Sequence, residues 1–127
     1  RRQAFQLWLE RRAVDIIQPD ATKCGGLTEA RRIAWMAADH HVQMVSHGWN
    51  TAVGLAADLQ LVAAAAGARW VEYLTPAPYI EELLLEPMNL TDAGLLTIPT
   101  GAGLGLRWSP DGIAKFTGGM QLTHSVI

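Results

Sequence analysis

The chain has 127 residues, half of them apolar, with a formal net charge of −2 and one cysteine. That length and apolar fraction can enclose a core as one domain. The charge balance, without a basic block, argues against nucleic acid as the main partner, because phosphate recognition needs clustered Lys and Arg.

Cys24 alone cannot close an internal disulfide, which fits a reducing, cytoplasmic setting. No signal peptide is visible. The longest apolar run, Leu59 to Gly67 with Gln60 inside it, is too short to cross a bilayer. The arginine pairs Arg1-Arg2, Arg11-Arg12 and Arg31-Arg32 read as solvated helix faces.

In chain order, residues 2–12 predict an amphipathic helix in which Phe5, Leu7, Trp8 and Leu9 lie among Arg, Gln and Glu. A helix already under way at Arg1, without a methionine, reads as the continuation of a longer polypeptide. Val14 to Gln18 predicts a buried strand, and Thr22 to Gly26 a loop. Thr28 is the expected cap of a helix whose apolar positions Ala30, Ile33, Ala34, Ala37 and Ala38 form one stripe. That helix should end at His40-His41, where imidazoles suit the negative end of the dipole. Val42 to Ser46 predicts a second strand, Thr51 to Ala66 an Ala-rich helix stopped by Gly67, and Arg69 to Leu74 a third strand. Asp58 is the one charge of the Ala-rich helix, so most of that helix should be packed. From residue 75 the alternation breaks at Pro76 and Pro78. Ile80 to Leu85 reads as a short helix or extended segment, and the rest as an irregular tail with Gly118-Gly119 near its frayed end.

Strand, helix, strand, helix, strand implies parallel pairing. Asp20, His47 and Glu72 close the three strands at intervals of 27 and 25 residues, close to the roughly 30 residues per unit of an eight-unit barrel. The fold class is therefore α/β: three parallel units of a (β/α) barrel, over residues 1–74, followed by a tail over 75–127. Three units alone would leave open parallel edges, which favours self-association into a homo-oligomer. Such strand ends gather on one face of the sheet, so an acid at Asp20 and an imidazole at His47 are candidates for a pair.

Other signals are weaker. Cys24 reads as a small buried thiol. Ser46 points away from His47 along the strand, which disfavours a Ser-His couple. Gly101, Gly103 and Gly105 suggest a phosphate loop, but Trp108-Ser109-Pro110 reads as a turn without a capped helix behind it. Trp49 and Asn50 are candidates to line a polar substrate pocket, and Trp35 and Trp70 are expected to be packing residues.

Four ordered motifs carry a resemblance. They are Ile17-Gln18-Pro19-Asp20 with Lys23 and Gly25-Gly26-Leu27-Thr28-Glu29-Ala30; Ser46-His47-Gly48-Trp49; Trp70-Val71-Glu72-Tyr73; and Ile98-Pro99 with Ala102-Gly103-Leu104-Gly105. Together they resemble the C-terminal part of the enolase superfamily, mandelate racemase subgroup, over nearly the whole chain. The resemblance implies barrel strands six to eight, plus a tail that packs back toward an N-terminal capping domain. It implies that His47 is the general base, that Asp20 orients it, and that Glu72 hydrogen-bonds the substrate carboxylate. An acid rather than a lysine at Asp20 points to the racemase and acid-sugar dehydratase branch, with Lys23 supporting the site from its loop. It also implies Mg²⁺, held by three acids on strands three to five. Glu10, Asp15 and Asp39 do not occupy matching places, so no metal ligand is assigned to this chain.

The physical demands agree with those roles. A proton α to a carboxylate is weakly acidic, and its removal needs a base tuned near neutrality and stabilisation of the enediolate charge. Histidine supplies the first, with an acid fixing its tautomer; a divalent cation ordinarily supplies the second. The expected activity is proton abstraction from a small hydroxy-carboxylate followed by dehydration of an acid sugar, with racemisation or epimerisation of a 2-hydroxy acid as the alternative. A partial-barrel protein without catalysis, stable through self-association or a partner chain, is the competing reading.

Overall fold

The structure, a computed structural model, describes residues 1–48 and 50–118. Helix α1 (Arg2–Glu10) leads to β1 (Ile16–Ile17), α2 (Ala21–Cys24), α3 (Leu27–Asp39), β2 (Gln43–Ser46), α4 (Ala52–Ala64) and β3 (Trp70–Val71). Two further helices, α5 (Pro78–Glu81) and α6 (Pro110–Thr117), belong to the last part of the chain. The strands form one parallel sheet in the order β1-β2-β3. Ile16 and Ile17 pair with Gln43 and Met44, and Val45 and Ser46 with Trp70 and Val71.

Alternation along the strands sorts their side chains. Ile17 and Met44 turn toward the helices and join Leu9, Ala30, Ile33, Ala34, Ala37 and Leu61 in one core. A second core places Ala52, Leu55, Ala56 and Leu59 of α4 against Ala77, Ile80, Leu84 and Met88. Helix α4 is thus packed on several sides, as a helix with a single charged residue implies. On the opposite face of the sheet Ile16 is 50% and Trp70 65% exposed. This is the face that a closed barrel fills with side chains from all its strands.

Helix α3 buries Ala30, Ile33, Ala34 and Ala37, the stripe read from its sequence. It ends at Asp39, and His41 takes a left-handed φ of 58°, where a helix terminus commonly carries glycine.

Several local expectations are corrected. The expected loop from Thr22 to Gly26 overlaps α2, because Asp20 caps that helix by accepting a hydrogen bond from the Thr22 N–H. Gly26, not Thr28, precedes α3, and no side chain caps that helix. Trp35 is half exposed on the outer face of α3, with the Arg31 guanidinium 4.6 Å from its ring centre, and Trp70 lies on the bare face of the sheet, so neither is a core residue. A capped helix does follow Trp108: Ser109 Oγ accepts from the Gly112 N–H at 3.1 Å and Pro110 occupies the first turn. Gly119 and residues beyond it lie outside the described residues.

Candidate active site

Pairing between β1 and β2 continues beyond the strands, and this continuation builds the site. The His47 N–H donates to the Pro19 carbonyl at 3.1 Å, so the next side chains, Asp20 and His47, emerge at one level. Asp20 Oδ2 lies 3.0 Å from His47 Nδ1. Its other oxygen, Oδ1, accepts from the Thr22 N–H at 2.8 Å and from Thr22 Oγ at 2.6 Å. The Lys23 ammonium also donates to Oδ2. Burial would push the Asp20 carboxyl up, but the contacts from Lys23, Thr22 and His47 together outweigh it and hold the group well below the usual carboxylate range. An ionised carboxylate can only accept, so the proton of a neutral His47 sits on Nδ1 and leaves Nε2 as the free lone pair.

Glu72 follows β3 on the same side. Its Oε2 accepts from the Gly48 N–H at 2.7 Å and its Oε1 from Gln18 Nε2 at 2.9 Å. The Gly48 N–H, against a smaller opposing effect of burial, and then Gln18 hold the Glu72 carboxyl below its ordinary range. Gly48 is required here by proximity: a Cβ on it would lie 2.3 Å from the Glu72 carbonyl oxygen. His47, Gly48, Glu72, Tyr73 and Leu74 line a cleft of about 230 Å³.

The structure therefore brings together Asp20, His47, Lys23 and, through Gly48, Glu72. It does not bring Asn50 to the cleft. Both polar atoms of the Asn50 carboxamide are buried, and they occupy the space beside Gly54, where a Cβ would lie 2.1 Å from Oδ1. The absent side chain of Gly54 admits the carboxamide, so the polar atoms of Asn50 lie against α4 and not in this cleft. Trp49 lies outside the described residues. Cys24 is buried with its thiol pushed up by burial, the state of an unreactive core cysteine.

Two participants escaped the sequence reading. Gln18 stands two residues before Asp20, and that parity was the available signal for a side chain on the same face. Thr22 completes an Asp-x-Thr turn, a recurrent local pattern.

Among the described residues no group of three or more His, Cys, Asp or Glu side chains could hold a metal ion. The carboxylates of the site are already engaged, Asp20 by Thr22, Lys23 and His47 and Glu72 by Gln18 and Gly48. This stretch therefore does not fit Mg²⁺, the cation that members of the enolase superfamily use. Nor, among the described residues, is any helix long and apolar enough to cross a membrane.

A family model described as enolase C-terminal domain-like matches residues 1–112. The chain is 37% identical over 123 residues to a D-galactarolactone cycloisomerase from Agrobacterium fabrum, covering 88% of this chain and 32% of that protein. It is 34% identical over 105 residues to a D-xylonate dehydratase from Haloferax volcanii, covering 83% of this chain and 26% of that protein. A solved mandelate racemase/muconate lactonizing enzyme from Sulfitobacter sp. superposes with a TM-score of 0.78 at 30% identity, over 86% of this chain and 27% of that one. The chain thus spans about a third or less of the length of each of these proteins. Three parallel β/α units, the matched model and these relatives agree: the chain belongs to the enolase superfamily, in its mandelate racemase and muconate-lactonizing group, as part of the C-terminal barrel.

Proposed function

We propose that this chain supplies the general base of an enzyme that removes the proton α to the carboxylate of a sugar acid and then eliminates a β-hydroxyl. The observation that carries the reading is the 3.0 Å contact between His47 Nδ1 and Asp20 Oδ2, with Nε2 left free beside the cleft. Nε2 takes the α-proton, and the resulting imidazolium is held against a carboxylate that stays ionised. For dehydration the same proton can then be passed to the departing hydroxyl.

Glu72 has a narrower part than the resemblance implies. As held by Gly48 and Gln18 it is an ionised acceptor, and two carboxylates cannot share a hydrogen bond without a proton. An arriving substrate carboxylate raises the proton affinity of Glu72, and the proton it takes up becomes the donor to substrate.

A second reading has its own support. The relative that is 37% identical is a cycloisomerase of D-galactarolactone, and removal of an α-proton would also serve expulsion of a lactone carboxylate in place of hydroxide.

The test uses the complete enzyme that contains this chain, with Mg²⁺, against aldonates and aldarolactones beginning with D-xylonate and D-galactarolactone. Loss of water, seen as a 2-keto-3-deoxy acid, supports dehydration; an isomer of unchanged mass supports cycloisomerisation. Exchange of the α-proton with solvent deuterium should vanish in His47→Asn. Undiminished exchange in that variant would remove the reading.

A further inference from the structure

Asp58 is 0% exposed at the middle of α4, and neither carboxyl oxygen has a hydrogen-bond partner among the described residues. A helix otherwise made mainly of Ala, Leu, Val and Gly could place leucine there without the desolvation cost of an acid. The Asn50 carboxamide sits close enough to act on that carboxyl, and both of its polar atoms are buried without a hydrogen bond of good geometry among the described residues. Its position depends on Gly54, since a Cβ at that residue would meet Oδ1 at 2.1 Å and Nδ2 at 2.7 Å. Asn50, Gly54 and Asp58 follow at intervals of four, the spacing of one helix stripe. Asn50 is also tied to the chain leaving His47, because its N–H donates to the Gly48 carbonyl at 3.0 Å.

We propose that Asp58 is a positioning residue: with Asn50 seated over Gly54 it forms an acid–amide clamp that fixes the chain leaving His47, and through it the imidazole against Asp20. The same segment is held a second time at the Gly48 N–H, which donates to the Glu72 carboxylate. A protonated carboxyl offers one donor and one acceptor, the complement of a carboxamide. Burial pushes Asp58 up to about 7; the Asn50 carboxamide opposes this, and of the charged groups facing it Asp20 and Glu72 raise it further while His47 lowers it. The carboxyl is therefore largely protonated below neutrality, where the complement is complete.

The inference rests on the reading of His47 as the base. The experiment measures kcat, KM and α-proton exchange in the complete enzyme for Asp58→Ala, Asp58→Asn, Asn50→Ala and His47→Asn, with whichever of the aldonates or aldarolactones that enzyme turns over. Misplacing the base should lower kcat and exchange about 10–100-fold in Asp58→Ala and Asn50→Ala. KM should hardly change, and Asp58→Asn, which keeps an amide partner for Asn50, should recover most of the loss. A lower melting temperature with wild-type kcat in Asp58→Ala would overturn the clamp and leave only packing. If that variant does not fold, Asn50→Ala decides alone: full kcat overturns the proposal and reduced kcat supports it. Exchange that survives in His47→Asn removes the base itself, and the clamp with it. Exchange lost in His47→Asn but intact in both clamp variants removes the clamp only.

Discussion

Asp20 meets His47 through a single oxygen: Oδ2 lies 3.0 Å from Nδ1, while Oδ1 is bound by the Thr22 N–H and hydroxyl. This division predicts the effect of Asp20→Asn. The Thr22 N–H is a fixed backbone donor, whereas the Lys23 ammonium on Oδ2 belongs to an exposed side chain that can swing into solvent, so the carboxamide oxygen stays with Thr22 and the NH₂ turns to His47. Nδ1 must then accept, its proton moves to Nε2, and the lone pair needed for proton abstraction is gone. Steady-state turnover and α-proton exchange should fall about 10²–10⁴-fold, with the circular dichroism spectrum unchanged.

Gly48 gives a second prediction. A methyl group there would press on the Glu72 carbonyl at 2.3 Å and on Glu72 Cβ at 2.8 Å, and a backbone contact yields only if a strand end moves. Gly48→Ala should part the Gly48 N–H from Glu72 Oε2 and shift His47 relative to Asp20. A displacement near 1 Å costs about 100-fold in rate. Single-turnover kinetics should show this loss in the proton-abstraction step, seen as a larger primary deuterium isotope effect on α-deuterated substrate. An unaltered isotope effect and rate would show that the contact is slack.

The three units and the convergence of Asp20 with His47 were legible because both follow from period. A helix stripe such as Ala30, Ile33, Ala34 and Ala37 repeats at 3–4 residues, and alternating strands deliver their ends to one face. The failures depend on what lies opposite a residue. Trp70 looks like core in any strand, yet its exposure is decided by the far side of the sheet, which its own neighbours in sequence do not encode. Asp58 is visible in the sequence as the one charge of α4, but that it lies fully enclosed depends on the elements around the helix, which the helix's own sequence does not encode. Ser109-Pro110 is ambiguous in another way: the pair begins a turn or a helix equally well, and α6 comes with contacts distant in sequence, the Ser109 N–H donating to the Leu83 carbonyl and Gly112 lying close against Glu82 and Leu83.

Thr22→Val keeps the shape of the side chain and removes the hydroxyl that donates to Asp20 at 2.6 Å. Loss of a hydrogen bond to a buried charged acceptor costs about 1.5–3 kcal/mol. The sign with pH follows from linkage. Asp20 is held below its unfolded value near 3.8, so the stability it contributes is complete above that value and is lost as pH falls through the lower folded one. Denaturation of the complete protein should therefore separate wild type from Thr22→Val most at neutral pH and least in acid. A difference that grew in acid would mean that the hydroxyl does not act on the ionised form.

Asp58 predicts the opposite dependence. Its carboxyl rises from 3.8 unfolded to about 7 folded, so between those values the native state binds the extra proton and stability falls as pH rises. Each tenfold difference in proton affinity between the two states is worth about 1.4 kcal/mol, so the loss reaches a few kcal/mol before it levels off above neutrality. Asp58→Asn removes the titration and keeps the volume. Its stability should match wild type near pH 4, exceed it progressively toward pH 7, and keep a constant advantage at pH 8, as read from thermal melts at those values. A variant less stable than wild type at pH 8 would mean that the ionised carboxylate has a partner strong enough to offset its burial.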